Sequence, residues 1–173
     1  MPAPESAPAP IIVTAVLGAA DFAWADGLRR RHFPPERNQV PAHVTLFHHL
    51  PPSVADELRE QLKTECRGRA PAARLAGLRH LGRGVAYQVE SPELAAIRER
   101  LADHFTGLLT PQDMAAWRPH ITVQNKVEPK EAKALLAELE AGFQPRPLQI
   151  AGLASWWYRG GPWEPLSEHR FRG

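Results

Sequence analysis

The sequence predicts a mixed α/β (α+β) fold built from two similar halves, and three observations carry that prediction. First, Pro41-Ala42-His43-Val44-Thr45-Leu46 and Arg118-Pro119-His120-Ile121-Thr122-Val123 share one pattern, their histidines 77 residues apart. Each has a His, a β-branched residue, a Thr and an aliphatic residue, a composition that favours a short strand. Second, the match runs on without a gap, so that His43 to Leu62 overlays His120 to Leu139. Third, two residues drop out and Leu75-Ala76-Gly77-Leu78 then matches Ile150-Ala151-Gly152-Leu153. A repeat of this length means two lobes related by a pseudo-twofold axis. Short turns between the strands favour antiparallel pairing. The expected architecture is two antiparallel sheets facing a central groove, with helices on their outer sides.

Side chains alternate between the faces of a strand. His43 and Thr45 therefore share one face, opposite Val44 and Leu46, and His120 and Thr122 share the corresponding face opposite Ile121 and Val123. By the same alternation Phe47 and Gln124 continue the polar faces, whereas His48 is expected to point toward the core. If the lobes are related by a twofold, both His-x-Thr faces meet in one site.

The remaining elements follow in order. Ile11 to Leu17 is a continuous apolar run that reads as a central strand. Asp21 caps a helix to about His32, with Phe22, Trp24 and Leu28 as its buried positions. Pro34-Pro35 stops it ahead of the first motif strand. Ser53 is the expected cap of a helix over Val54 to Cys66. A hairpin follows, Ala73 to Leu78 and Val85 to Val89, turned at Gly82 to Gly84. Ser91-Pro92-Glu93 gives a cap, a first-turn proline and a first-turn acid for a helix to about Phe105. A helix from Pro129 to Ala141 ends at Gly142. Leu148 to Trp157 and Glu164 to Phe171 form the last hairpin.

Composition bounds the partners. At 173 residues, 43% hydrophobic and 23% charged, the chain suits a single globular domain. Met1 to Pro10 is a Pro/Ala-rich tail expected to be disordered, leaving residues 11–173 as one bilobal domain. The net charge of +2 and the lack of a long basic run suit a small anionic substrate as well as RNA. The single Cys66 excludes an internal disulfide and reads as a small core residue. With no signal-peptide pattern and no long apolar run, no membrane is involved and the expected address is the cytoplasm. No set of Cys and His has metal-ligand spacing, so neither metal nor cofactor is expected. Nothing implies a stable protein partner, and a monomer is expected.

Two imidazoles and two hydroxyls in equivalent places point to acid–base chemistry. Imidazoles titrating near ~6.5 can hold opposite protonation states at neutral pH, and Thr hydroxyls can bind the oxygens of a phosphate. One lone His-x-Thr would signify nothing; two inside a duplicated frame are specific. On these motifs, the Arg118-Pro119 lead-in and the duplicated order of elements over about Ile11 to Phe171, the chain resembles the 2H phosphoesterase superfamily. That superfamily includes 2′-5′ RNA ligase-like proteins and cyclic nucleotide phosphodiesterases. The resemblance implies a bilobal fold and metal-independent chemistry on 2′,3′-cyclic or 2′-5′ phosphodiesters of RNA ends or small nucleotides. His43 and His120 would then be catalytic, and Thr45, Thr122, Arg118, Phe47 and Gln124 would bind substrate. A 2′-5′ RNA ligase and a non-catalytic RNA- or nucleotide-binding module are the alternatives. One of Trp156, Trp157, Tyr158 and Trp163 could stack on a base.

Overall fold

A computed structural model describes residues 9–172. The first half runs β1 (Ile11–Leu17), α1 (Ala19–His32), β2 (Val44–Leu50), α2 (Ala55–Glu65) and β3 (Ala72–His80). The second half repeats it as β4 (Val85–Glu90), α3 (Pro92–His104), a short α4 (Pro111–Met114), β5 (His120–Gln124), α5 (Pro129–Ala141) and β6 (Arg146–Trp157). A last strand, β7 (Glu164–Arg170), closes the hairpin with β6. Most of the expected tail lies outside the described residues. Its last two residues do not belong to a tail: Ala9 is buried and the carbonyl of Pro10 accepts a hydrogen bond from Tyr158 N at 3.0 Å.

The strands do not form two separate sheets. They follow one antiparallel path, β2-β1-β6-β3-β4-β5, with β7 also on β6. The first half contributes β2 and β1, the second β5 and β4, and each half's third strand crosses to the other. The exchange is possible because β6 is twelve residues long: its first residues pair with β3 and the rest with β1 and β7. The pseudo-twofold lies at the β3–β6 seam. With the 75-residue offset that aligns Leu75 with Ile150, Ala73 has Leu148 as its counterpart, and the two are paired across the seam. The ends of the path, β2 and β5, come into contact. Both motif strands are thereby brought side by side although 77 residues separate their histidines.

Apolar residues from β1 to β6 and the four long helices form one buried cluster, with Leu166 of β7 packed against it. The caps follow their chemistry with three departures. Ser91 Oγ accepts from Leu94 N at 3.0 Å, as its position before Pro92 requires. Asp21 does not cap α1, which begins two residues earlier; its carboxylate instead accepts Gln149 N at 2.7 Å and Arg146 Nη1 at 3.1 Å. Ser53 does not cap α2, because Pro52–Val54 forms a 3₁₀ turn there. Gly142 ends α5 at φ −110°, outside the left-handed region. Cys66 is buried, and burial pushes its thiol up to about 11.

Candidate active site

The two motif strands carry the same defect. On β2, Thr45 lies opposite Thr14 but Phe47 lies opposite Val13, which leaves Leu46 as an extra residue. On β5, Thr122 lies opposite Ala86 but Gln124 lies opposite Val85, which leaves Val123 as the extra residue. Leu46 and Val123 are counterparts in the repeat. A bulge displaces side-chain alternation by one, so the expectation that Phe47 and Gln124 line the groove is not met. Phe47 is fully buried under the guanidinium of Arg98. Gln124 is buried too, its Oε1 without a hydrogen-bond partner. His48, expected in the core, comes out beside Thr45 and His120 instead.

Side chains satisfy the carbonyls of these bulged edge strands. Arg29 of α1 donates from Nη1 to Thr122 O at 2.8 Å. Arg98 of α3 donates from Nε to Leu46 O at 2.8 Å and from Nη2 to Asp113 O at 2.7 Å. Trp117 Nε1 donates to Thr45 O at 3.0 Å. Each half's first helix thus inserts an arginine against the other half's motif strand. Burial lowers Arg29 to about 10, which leaves it charged at neutral pH.

Both motif histidines are held the same way. His43 Nδ1 donates to Pro41 O at 2.7 Å and His120 Nδ1 donates to Arg118 O at 2.8 Å. A carbonyl only accepts, so Nδ1 carries the hydrogen in each and Nε2 is left to exchange a proton. Arg79 Nη1 lies 3.5 Å from His120 Nδ1, but both are donors; this contact brings charge near and is not a hydrogen bond. Burial, against the pull of the Pro41 carbonyl, pushes His43 down to about 4, aided by Arg29, His120 and His48. His120 is also lowered, chiefly by burial and then by Arg79, His48 and Arg118. The two imidazoles are close enough for a charge on one to disfavour a charge on the other.

The flanks of this pair differ. Beside His43 lies an apolar cavity of about 110 Å³ that includes Thr14, Leu17, Phe22, Trp156 and Trp163 in its walls. The Trp163 ring stands 4.7 Å from that of His43, tilted by 57°. Phe22 is thus an exposed wall residue and not part of the core. Beside His120 lies a cavity of about 350 Å³ that includes Thr45, His48, Arg79, Arg98, Asp113 and Arg118. Asp113 is buried and accepts His48 N, His49 N and the His48 ring nitrogen Nδ1 at 2.9–3.1 Å. Burial alone would raise its carboxyl; those bonds outweigh burial and hold it below the ordinary range.

Of the sequence candidates, His43 stands at one cavity, His120, Thr45 and Arg118 stand at the other, and Thr122 is half-buried on β5; Arg79, Arg98, Asp113, Trp117 and the outward position of His48 are additions from the structure. The repeat could not show most of them: Arg79 has Ala154 as its counterpart, and Asp113 and Trp117 precede the stretch that aligns without a gap. Among the described residues no group of three or more His, Cys, Asp and Glu is gathered to hold a metal, and no helix is long and apolar enough to cross a membrane.

The model of the 2′-5′ RNA ligase superfamily matches residues 18–162. The chain belongs to that superfamily. Solved structures of similar fold include TT0787 of Thermus thermophilus, 17% identical with a TM-score of 0.63, covering 95% of this chain and 98% of that one. E. coli LigT complexed with 3′-AMP is 19% identical with a TM-score of 0.57, covering 96% and 99%. A structure described as a phosphoesterase is 20% identical with a TM-score of 0.57, covering 96% and 100%. A search of curated protein sequences found no significant match. The superfamily is one of phosphoesterases and ligases, and the mixed α/β fold is common to these structures.

Proposed function

We propose that this chain is a metal-independent phosphodiesterase for 2′,3′-cyclic or 2′-5′ phosphodiesters of RNA ends or nucleotides, with His43 and His120 as its acid–base pair. The observation that carries the reading is the mirrored tether: each Nδ1 is committed to the carbonyl two residues back, in both halves. Binding alone would not need two imidazoles held in one tautomer with Nε2 available in each. E. coli LigT, of similar fold, has been solved with 3′-AMP, ATP and NADP+, which agrees with a nucleotide-sized ligand here.

The step balances on the two imidazoles. One Nε2 removes a proton from water as its oxygen bonds to phosphorus. The bond from phosphorus to the 2′- or 3′-oxygen breaks, and that oxygen takes a proton from the other, protonated imidazole. The product is a phosphate monoester, and the histidines have exchanged protonation states. Each positioned transfer is worth about 10²–10⁴-fold. Thr45 and Thr122 donate to the non-bridging oxygens, and Arg118 offsets their charge. With a 5′-hydroxyl in place of water, the same groups join that oxygen to the cyclic phosphate as the 3′-oxygen leaves and takes the proton, so 2′-5′ ligation needs no added residue.

The test is turnover of adenosine 2′,3′-cyclic phosphate and of a 2′-5′-linked dinucleotide in excess EDTA. Turnover of at least one is expected. Loss of activity in EDTA with recovery on adding zinc or manganese overturns the two-histidine mechanism; tight binding of both compounds without turnover favours a binding module. Because both imidazoles are lowered from 6.5 in the free protein, kcat/KM should follow a bell centred below pH 6.5. Its acidic limb reports the base gaining a proton and its alkaline limb the acid losing its own, as macroscopic values of the pair.

A further inference from the structure

The cavity beside His120 is cationic in a way that one scissile phosphate does not require. Arg79 and Arg118 line it with His48, and Arg98 forms part of its wall. Its one acid, Asp113, has its carboxylate occupied by three N–H groups from His48 and His49. The cavity across the pair has no cation in its walls, and Glu168 is its one charged residue. An anion is therefore favoured on the His120 side and disfavoured on the His43 side.

Register shows that the charge is built into the sheet. Thr122 on β5 pairs with Ala86, and Ala86 pairs with Arg79 on β3. Residues paired across strands share a face, so Arg79 and Thr122 stand on one face of the sheet, two strands apart. In the other half the row is Thr45, Thr14 and Ala154, and Ala154 is the repeat counterpart of Arg79. His48 is fixed by Asp113: its side chain is 46% exposed to the cavity and solvent, while that of Asp113 is 1% exposed. A buried carboxylate holding the Nδ1 hydrogen of an exposed imidazole sets its orientation.

We infer that Arg79 and His48 form a subsite for a second phosphate of the substrate, separate from the one under attack, and that Asp113 positions His48 there. The inference rests on the reading of this site as a phosphodiesterase for nucleotides. In a nucleoside 2′,3′-cyclic phosphate the base hangs from C1′, next to C2′, and the 5′-group from C4′, next to C3′. The two leave the cyclic phosphate on opposite sides. A base against Trp156 and Trp163 therefore sends the 5′-position toward Arg79 and His48. The substrate class is a nucleotide that carries a 5′-phosphate or phosphodiester in addition to its 2′,3′-cyclic phosphate.

Binding tests this without relying on turnover. Adenosine 3′-monophosphate and adenosine 3′,5′-bisphosphate are titrated into the full chain by calorimetry. The bisphosphate should bind about ten-fold tighter or more, as expected for charge-assisted contacts to the added group. In Arg79→Gln and His48→Gln that advantage should fall several-fold, and His48→Arg should recover part of it. Asp113→Asn should reduce the advantage as well. Equal affinities for the two compounds in the folded wild type overturn the subsite even if cyclic phosphates are hydrolysed. So does a ten-fold advantage that survives Arg79→Gln and His48→Gln. Where affinities differ as expected and no cyclic phosphate is turned over, the subsite stands and the phosphodiesterase reading falls. Turnover of adenosine 2′,3′-cyclic phosphate against its 5′-phosphorylated form and a dinucleotide ending in a cyclic phosphate then tells a free 5′-phosphate from an internal diester.

Discussion

The two His-x-Thr strands share a backbone and differ in what surrounds it. On β2 and β5 alike, the histidine is tied to the carbonyl two residues back and a bulge follows the threonine. The carbonyls of each strand also receive an arginine from the other half. These shared features fix the position of an imidazole and a hydroxyl. The rows beyond them diverge: Thr122 leads through Ala86 to Arg79, and Thr45 leads through Thr14 to Ala154. Thr14 receives the indole N–H of Trp156 at 3.0 Å, which turns that flank aromatic. In the proposed mechanism symmetry supplies the acid–base pair, and departures from it supply direction, since a groove equivalent on both sides could not tell the ends of a substrate apart.

The largest break in the comparison removes one member of the symmetric pair. His43→Ala and His120→Ala should each lower kcat by about 10²–10⁴-fold, because one leaves water unactivated and the other leaves a basic oxygen unprotonated. The double variant should be little slower than either single, since groups acting as a unit are not additive. Thr45→Ala and Thr122→Ala should cost less, each removing one phosphate donor among several. Single-turnover rates on a 2′,3′-cyclic nucleotide decide this. Near wild-type kcat in a natively folded single His variant would remove that histidine from the mechanism.

This division also explains what can be read from the sequence. The order of strands and helices, the duplicated frame and the four polar motif residues are legible because each appears twice at a fixed spacing. The single continuous sheet is not, because strand exchange at the β3–β6 seam leaves no local pattern. The bulges are hidden for another reason: Leu46-Phe47 and Val123-Gln124 look like ordinary alternation, and only pairing shows the extra residue. Simple alternation therefore puts Phe47 and Gln124 in the groove and His48 in the core, all three on the wrong side. Arg79 cannot be found from the repeat, since Ala154 stands at its counterpart position, and Asp113 cannot, since it precedes the stretch that aligns without a gap.

A second break of moderate size concerns the arginines that brace the motif strands. Arg29→Met and Arg98→Met keep much of the apolar stem and delete the guanidinium, leaving a carbonyl of the opposite strand short of a donor. Each should cost roughly 1–3 kcal/mol, the usual range for an orphaned buried polar group. Arg98 serves two carbonyls, Leu46 and Asp113, whereas Arg29 serves Thr122 and the Asn38 side chain. Arg98→Met should therefore be the more damaging to β2 and the Asp113 turn. For a chain of this size the melting temperature should fall by about 2–4 °C per kcal/mol. Denaturant midpoints unchanged in both variants would show that water satisfies those carbonyls equally well.

The finest comparison is between the two histidines as they report on folding. His43 is lowered to about 4 from 6.5; His120 is lowered by less. Well above pH 6.5 both are neutral in the folded and unfolded chain alike, and neither affects stability. As pH falls below 6.5, the unfolded chain takes up protons at both positions while the folded chain resists, so stability is lost. For His43 the loss continues until pH reaches about 4, where the folded form is protonated too. Allowing for its partial exposure, the total is on the order of 1–3 kcal/mol. Replacing His43 with Gln removes this uptake. The drop in the urea midpoint between pH 7 and pH 4.5 should thus be smaller in His43→Gln than in wild type, with His120→Gln in between. Carboxylates elsewhere weaken all three proteins together at low pH, so the difference between variants is the quantity to read. If the three curves run parallel, the imidazoles are no harder to protonate in the folded chain than in the unfolded one, and the bell-shaped rate profile should then be centred nearer to neutrality.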